Sequence, residues 1–312
     1  MRIAVFGTGG VGGYFGGRLA YAREDVTFIA RGEHLRAIKA HGLKVDSPQG
    51  DFVIFPARAT DNVSEVGEVD LVILGVKAWQ VPEAARAMKP LVGPNTTVLP
   101  LQNGVEVVPQ LVNELGPDHV IGGLCKLVSF VVGPGHIRHT GFNASITIGE
   151  LDNKHSTRIA VIEQVFKRAG LDISVAADIQ VALWMKYLFI ASFSGVGAIA
   201  NAPAGVVRSD PKWRAQVLSA MAEIYAVARA RGVKLPPNSI DTVMAFVDGL
   251  PEDATSSMQR DIAAGRLSEL EAQNGAVVRM GRELDVEVPT HEFIYQTLRP
   301  LEEKARAAGP KI

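Results

Sequence analysis

Along the first 150 residues, short apolar, β-branched runs alternate with segments whose apolar positions recur at helical spacing. The runs 2–6, 26–30, 70–76, 96–100 and 119–123 predict strands, followed by 126–132, 136–139 and 144–149. Between them, 11–22, 33–40, 80–89 and 105–115 predict helices. Such alternation implies a parallel, doubly wound sheet, because each crossover helix returns the chain to the same strand direction. The segment PGHIRHTG at 134–141 reads as a turn between two late strands that extend this sheet. A helix near 155–169 and a strand near 171–175 complete the unit. From Asp178 the pattern turns helical, over 178–193, 211–231, 237–248, 254–264, 266–284 and 291–307. The expected architecture is α/β, with a doubly wound domain over 1–176 and an all-α domain over 177–312.

The first strand runs directly into GTGGVGG at 7–13. Gly7, Gly9 and Gly12 stand at G-x-G-x-x-G spacing, with Gly10 between them, and a small-residue helix follows. A turn of this kind lets backbone approach a pyrophosphate, while the free N–H groups of the next helix face its charge. The plainer alternative is that the glycines serve only tight strand–helix packing. Their place between an N-terminal strand and a helix favours a Rossmann-type dinucleotide site.

The end of the second strand bears on which dinucleotide. A site for NAD places an acidic residue there to bond the ribose 2′-OH, roughly 20 residues past the glycines. Here that place holds Arg31. A guanidinium binds a 2′-phosphate that a carboxylate would repel. Lys77, after the run LVILGVK, supplies a second positive charge. Both residues could equally be solvated surface cations. Their position at strand ends beside a phosphate loop points to NADP(H).

Composition narrows the classes. A chain of 312 residues is long enough for two domains. Its formal net charge of −1 gives no reason to expect a nucleic-acid partner. Cys125 is the single cysteine, so a disulfide within the chain and a cysteine metal cluster are both excluded, and no metal site is expected. Such usage fits a reducing, cytoplasmic setting. The first strand is expected to begin at residue 2, so no signal peptide is expected ahead of it. The most apolar stretch, 187–200, is too short and too polar to span a bilayer and reads as a buried helix, so no membrane partner is expected. A helical second domain is compatible with a homodimer.

Four residues could carry chemistry. Lys186 lies within IQVALWMKYLFIASF, and a lysine in such a helix loses hydration, which suits proton donation near neutral pH. Its stem could instead lie on apolar surface with the ammonium in water. Glu269 lies in GRLSELEAQNG and Ser257 in ATSSMQRD. A helical glutamate is ordinarily solvent-facing, and Ser256 or Ser257 could be a helix cap. Asn103 follows an apolar strand in VLPLQNG, at the carboxyl edge where open α/β sheets bind ligands. An Asn-Gly pair is also a common turn. His136 and His139 read as structural or surface residues.

Taken together, these segments resemble the ketopantoate reductase (2-dehydropantoate 2-reductase) family over nearly the whole chain. The resemblance rests on GTGGVGG at 7–13, Arg31, VKAWQ at 76–80, LQNG at 101–104 and PGHIRHTG at 134–141. It continues through the helix around Lys186, NAPAG at 201–205, SSMQRD at 256–261 and SELEAQNG at 268–275. It implies NADPH-dependent reduction of a 2-keto acid to a 2-hydroxy acid, here 2-dehydropantoate to pantoate in pantothenate biosynthesis. It makes Lys186 the general acid and places Asn103 at the nicotinamide and substrate. Glu269 and Ser257 then line the substrate site, while Arg31 and Lys77 hold the adenosine phosphate with Gln80 in the same segment. The family carries asparagines four and eight residues after the lysine, where this chain has Ile190 and Ser194, and a further one where it has Ala204. Fewer amides imply a different, more apolar 2-keto acid. A related D-2-hydroxy acid dehydrogenase and a non-catalytic NADP-binding protein remain as alternatives.

Overall fold

Residues 1–308 of the computed structural model are described. The strands and helices of the first unit are β1 (Arg2–Phe6), α1 (Gly10–Tyr21), β2 (Asp25–Ile29), α2 (Gly32–His41), β3 (Leu43–Asp46), β4 (Phe52–Ile54), β5 (Arg58–Thr60), β6 (Leu71–Leu74), α3 (Val81–Ala87), β7 (Thr97–Pro100), α4 (Val107–Leu115), β8 (Gly122–Gly133), β9 (His136–Gly149), α5 (Thr157–Arg168) and β10 (Asp172–Val175). Met1–Gln102 and Val107–Ile179 make up this unit, and Asn103–Glu106 with the described residues from Gln180 make up a second.

The first sheet has the order β5-β2-β1-β6-β7, and every pairing is parallel. Leu71, Val72, Ile73 and Leu74 are all fully buried, as expected of a strand covered on both faces. The late strands do not extend this sheet. They form a second one, in the order β10-β9-β3-β4, with β8 paired antiparallel to β9. The segment HIRHTG is likewise strand rather than turn: only Pro134 and Gly135 turn, and β9 then runs for 14 residues. Its length is what lets one strand pair with β3 near His136 and with β10 near Ser145. The strands β3, β4 and β5 have three or four residues each, too few to show a period in the sequence.

Helix α1 lies between the two sheets, and its glycines explain how. A Cβ on Gly12 would stand 2.1 Å from the Gly7 carbonyl oxygen, and one on Gly16 2.4 Å from Val5. On the opposite side, a Cβ on Gly13 would stand 2.8 Å from Ile137 of the second sheet.

The second unit is helical: α6 (Ile179–Ala200), α7 (Ala204–Ser209), α8 (Pro211–Ala230), α9 (Ser239–Asp248), α10 (Ser257–Ala263), α11 (Ala276–Leu284) and α12 (Pro289–Ala307). Helix α6 is long and apolar enough to cross a membrane by composition alone, but Trp184, Tyr187, Leu188, Ala191, Phe193 and Val196 form part of this unit's core. The expected helix over 266–284 is interrupted. Glu271–Gly275 forms a widened π-helical turn ahead of α11, a feature that often marks functional sites. The segment Asn103–Glu106 is pinned to this unit by an ion pair of 2.7 Å between Glu106 and Arg279.

Candidate active site

The nucleotide-facing part is built where β1 ends. Gly7 turns with φ +97°, a backbone state favourable only to glycine, and the Thr8 N–H and hydroxyl both donate to the Ile29 carbonyl. Gly9 then caps α1 without a side-chain acceptor, and no acidic residue lies in the first turn of that helix. Its first N–H groups therefore present unneutralised positive dipole. The glycines divide into two kinds. Gly10 and Gly12 are demanded by packing, since a Cβ on Gly10 would stand 2.6 Å from the Ser129 carbonyl oxygen. A Cβ on Gly9 would meet nothing within 4 Å. Packing within the protein does not require glycine at position 9, whereas a phosphate drawn close to the backbone does. The residues present thus fit a dinucleotide pyrophosphate.

Arg31 follows β2 and Lys77 follows β6, the two strands that flank β1, so both stand at strand ends beside the glycine turn. Arg31 is exposed and lies 4.0 Å from the equally exposed Glu83 carboxylate. The Lys77 ammonium stands 5.7 Å from the Trp79 ring centroid. Gln80 is exposed, and its side-chain oxygen accepts from the Lys77 backbone N–H at 3.1 Å, which closes the turn before α3.

The remaining candidates lie in the second unit. Lys186, Ile190 and Ser194 follow each other at four-residue spacing and so form one stripe along α6. Lys186 and Ile190 are half-buried, and Ser194 is fully buried. No hydrogen bond or ion pair engages the Lys186 ammonium among the described residues. Glu269 is not a surface glutamate: it is only 6 % exposed. The Asn103 side-chain amide donates to Glu269 Oε2 at 3.1 Å, and the Gln273 amide approaches the same oxygen at 3.4 Å. Next to it, the Ser268 N–H and hydroxyl both donate to the buried Glu302 carboxylate, which anchors this stretch to α12. Ser256 is the residue that caps α10, accepting from the Gln259 N–H at 3.1 Å, so the half-buried Ser257 hydroxyl is spared that task. Ala204 is fully buried among apolar neighbours.

The family model described as Ketopantoate reductase PanE/ApbA matches residues 3–153, and its C-terminal counterpart matches residues 178–302. A 2-dehydropantoate 2-reductase of Mesorhizobium japonicum is 31% identical over 96% of this chain and 98% of its own length. The chain belongs to the ketopantoate reductase family. A family ketopantoate reductase of Ralstonia eutropha, solved by crystallography, superposes with a TM-score of 0.90 at 33% identity, covering 98% of this chain and all of that one. A D-mandelate dehydrogenase solved with NADH and anilino(oxo)acetate shares the fold at a TM-score of 0.88 and 23% identity, over 98% of this chain and 99% of its own. Membership makes the protein an oxidoreductase of the ketopantoate reductase type.

Sequence reasoning passed over Gln273, Tyr187 and Glu302. Tyr187 and Glu302 act by contacts with residues far along the chain, and Gln273 reaches Glu269 from within a π-helical turn, which has no periodic signature.

Proposed function

We propose that the protein reduces 2-dehydropantoate to pantoate with NADPH, a step of pantothenate biosynthesis. The observation that carries this reading is the buried Glu269 carboxylate held by the Asn103 amide, in the unit whose α6 presents the unengaged Lys186. A carboxylate removed from water and gripped by an amide 166 positions away is built for a ligand or a reaction, since a solvent-facing glutamate serves structure equally well.

The nicotinamide coenzyme, when bound, supplies the hydride for the substrate carbonyl carbon. Gly9 and the first turn of α1 hold its pyrophosphate, and Arg31 and Lys77 supply the charge that a 2′-phosphate needs. Lys186 donates a hydrogen bond to the carbonyl oxygen and delivers the proton as negative charge develops there. Asn103 and Gln273 hold Glu269 in one orientation, so that the carboxylate positions the substrate. Ser257 bonds the substrate carboxylate or hydroxyl.

Ile190 supports a second reading. It stands one helical turn from Lys186 and offers a hydrocarbon surface where the family resemblance implies an amide, which favours a more apolar 2-keto acid and the activity of a D-2-hydroxy acid dehydrogenase. The fold shared with a D-mandelate dehydrogenase is compatible with that substrate class. One panel separates the readings: NADPH and NADH consumption with 2-dehydropantoate, branched and aromatic 2-keto acids, and the reverse reaction with the matching hydroxy acids. Preference for 2-dehydropantoate is expected; preference for an aromatic acid selects the second reading. Lys186→Ala should lower turnover by about 10²–10⁴-fold with NADPH affinity unchanged. Near-normal turnover would remove Lys186 from the mechanism, and tight NADPH binding without turnover on any acid would identify a non-catalytic protein.

A further inference from the structure

One side of α6 is fastened to the turn that follows Glu269. The Tyr187 hydroxyl donates to the Gln273 backbone carbonyl at 2.5 Å. One turn on, the Ala191 carbonyl accepts from the Asn274 side-chain amide at 3.1 Å. A further turn on, Gly195 has no side chain, and a Cβ there would stand 2.5 Å from Asn274 Nδ2. Tyr187, Ala191 and Gly195 thus form a stripe set into the π-helical turn Glu271–Gly275.

The stripe of Lys186, Ile190 and Ser194 is displaced from this one by a single residue, or about 100° around the helix. Whatever fixes the first stripe also fixes the direction in which the second points. The same turn is bonded to Glu269, whose backbone carbonyl accepts from the Gln273 N–H at 2.9 Å and whose carboxylate the Gln273 amide approaches at 3.4 Å. Gln273 therefore faces the proton donor's helix with its backbone and the carboxylate with its side chain. Tyr187 and Gln273 are both essentially without solvent contact, and the Tyr187 ring packs edge-on against Trp184 at 5.6 Å, so neither has room to re-form the contact elsewhere.

We propose that Tyr187 is a positioning residue: its hydroxyl locks α6 to the turn behind Glu269, so that Lys186 and Glu269 keep one relation to each other during reduction. The inference rests on the reading of Lys186 as proton donor. It deepens that reading by assigning a residue that touches neither substrate nor coenzyme.

Tyr187→Phe removes the hydroxyl and keeps the ring. The variant and the unaltered enzyme are compared for kcat, KM for the 2-keto acid, NADPH dissociation constant, and amide hydrogen exchange over residues 271–275. The expected result is a kcat lowered about tenfold, KM and NADPH affinity within about twofold of the parent, and faster exchange in the turn, since small misplacement of a reacting group is costly in rate. Gly195→Ala, which forces the other end of the same seam, should give the same selective loss of kcat. Parental kcat in Tyr187→Phe overturns the proposal, and so does a rise in KM that accounts for the whole loss. Recovery of Tyr187→Phe only in unfolded form also overturns it, by assigning the hydroxyl to folding. An unaltered enzyme that reduces no 2-keto acid refutes the proposed function instead, so the two failures are distinguishable.

Discussion

The Asn103 amide donates to Glu269 Oε2 at 3.1 Å, joining the loop after β7 to the stretch before the π-helical turn. A carboxylate accepts only, and the amide nitrogen donates only, so the pair has a single compatible orientation. Asn103→Asp replaces the donor by a second acceptor and sets two carboxylates against each other. We expect kcat to fall by about 10²-fold, as when an oriented polar group of an active site is lost, and Asn103→Ala to be milder. Steady-state kinetics of both variants decide the point: equal kcat for Asp and Ala would mean that repulsion with Glu269 plays no part.

Gly9 and Gly12 belong to one motif but answer to different demands. Gly12→Ala sets a Cβ 2.1 Å from the Gly7 carbonyl oxygen, a backbone atom that cannot move aside, so the fold should lose about 1–3 kcal/mol or more. Gly9 has φ −80° and open space around its missing Cβ, so Gly9→Ala should melt as the parent does while NADPH binding weakens about tenfold or more. Thermal melting and nucleotide titration read the two effects separately. Parental NADPH affinity in Gly9→Ala would show that no phosphate approaches that residue.

Arg31 and Glu83 form an exposed pair at 4.0 Å, which solvent screens to little value. A 2′-phosphate brings two or more charge-assisted bonds to the same guanidinium and should displace Glu83 from it. Arg31→Asp is expected to cut the preference for NADPH over NADH by about 10–10²-fold, the worth of about 1.4–2.8 kcal/mol of charged hydrogen bonding. The ratio of kcat/KM with the two coenzymes measures it, and an unchanged ratio would refute the assignment of NADPH.

His291 predicts the acid limit of the helical unit. Burial away from water lowers its pKa from the ordinary 6.5 to about 4, opposed only in part by its bond to the Ala220 carbonyl. Its Nε2 donates to that carbonyl at 3.1 Å, and Nδ1 accepts from the Asn274 amide at 3.0 Å, so the neutral ring is fully bonded and a second ring proton would meet a donor. The unfolded chain binds that proton below pH 6.5 and the folded chain does not. Stability is therefore whole above about pH 6.5 and declines as pH falls towards 4, by roughly 3 kcal/mol in all at about 1.4 kcal/mol per pH unit. Melting temperatures at pH 7.5 and 5 for the parent and His291→Gln test this. The parent should lose more stability between the two than the variant does, and equal losses would contradict it.

The chain by itself determined the alternation of β and α segments, the glycine turn at 7–13, the cations at the ends of β2 and β6, and the set of residues, Asn103, Lys186, Ser257 and Glu269, that resemble a known family. These are local facts: periodicity, turn chemistry and motif spacing survive in a one-dimensional reading. Ser256 against Ser257 shows where that reading stops, because the choice of cap depends on which backbone N–H a hydroxyl faces. So does the second sheet, whose short strands β3 and β4 acquire their identity only by pairing, β3 with β9 and β4 with β3. Tertiary structure alone decided that Glu269 is buried, that Asn103 and Gln273 converge on its carboxylate, and that Tyr187 fastens α6 to the turn behind it. Such contacts join residues up to 166 positions apart, and their energy comes from burial and hydrogen-bond geometry that exists only once the chain has closed.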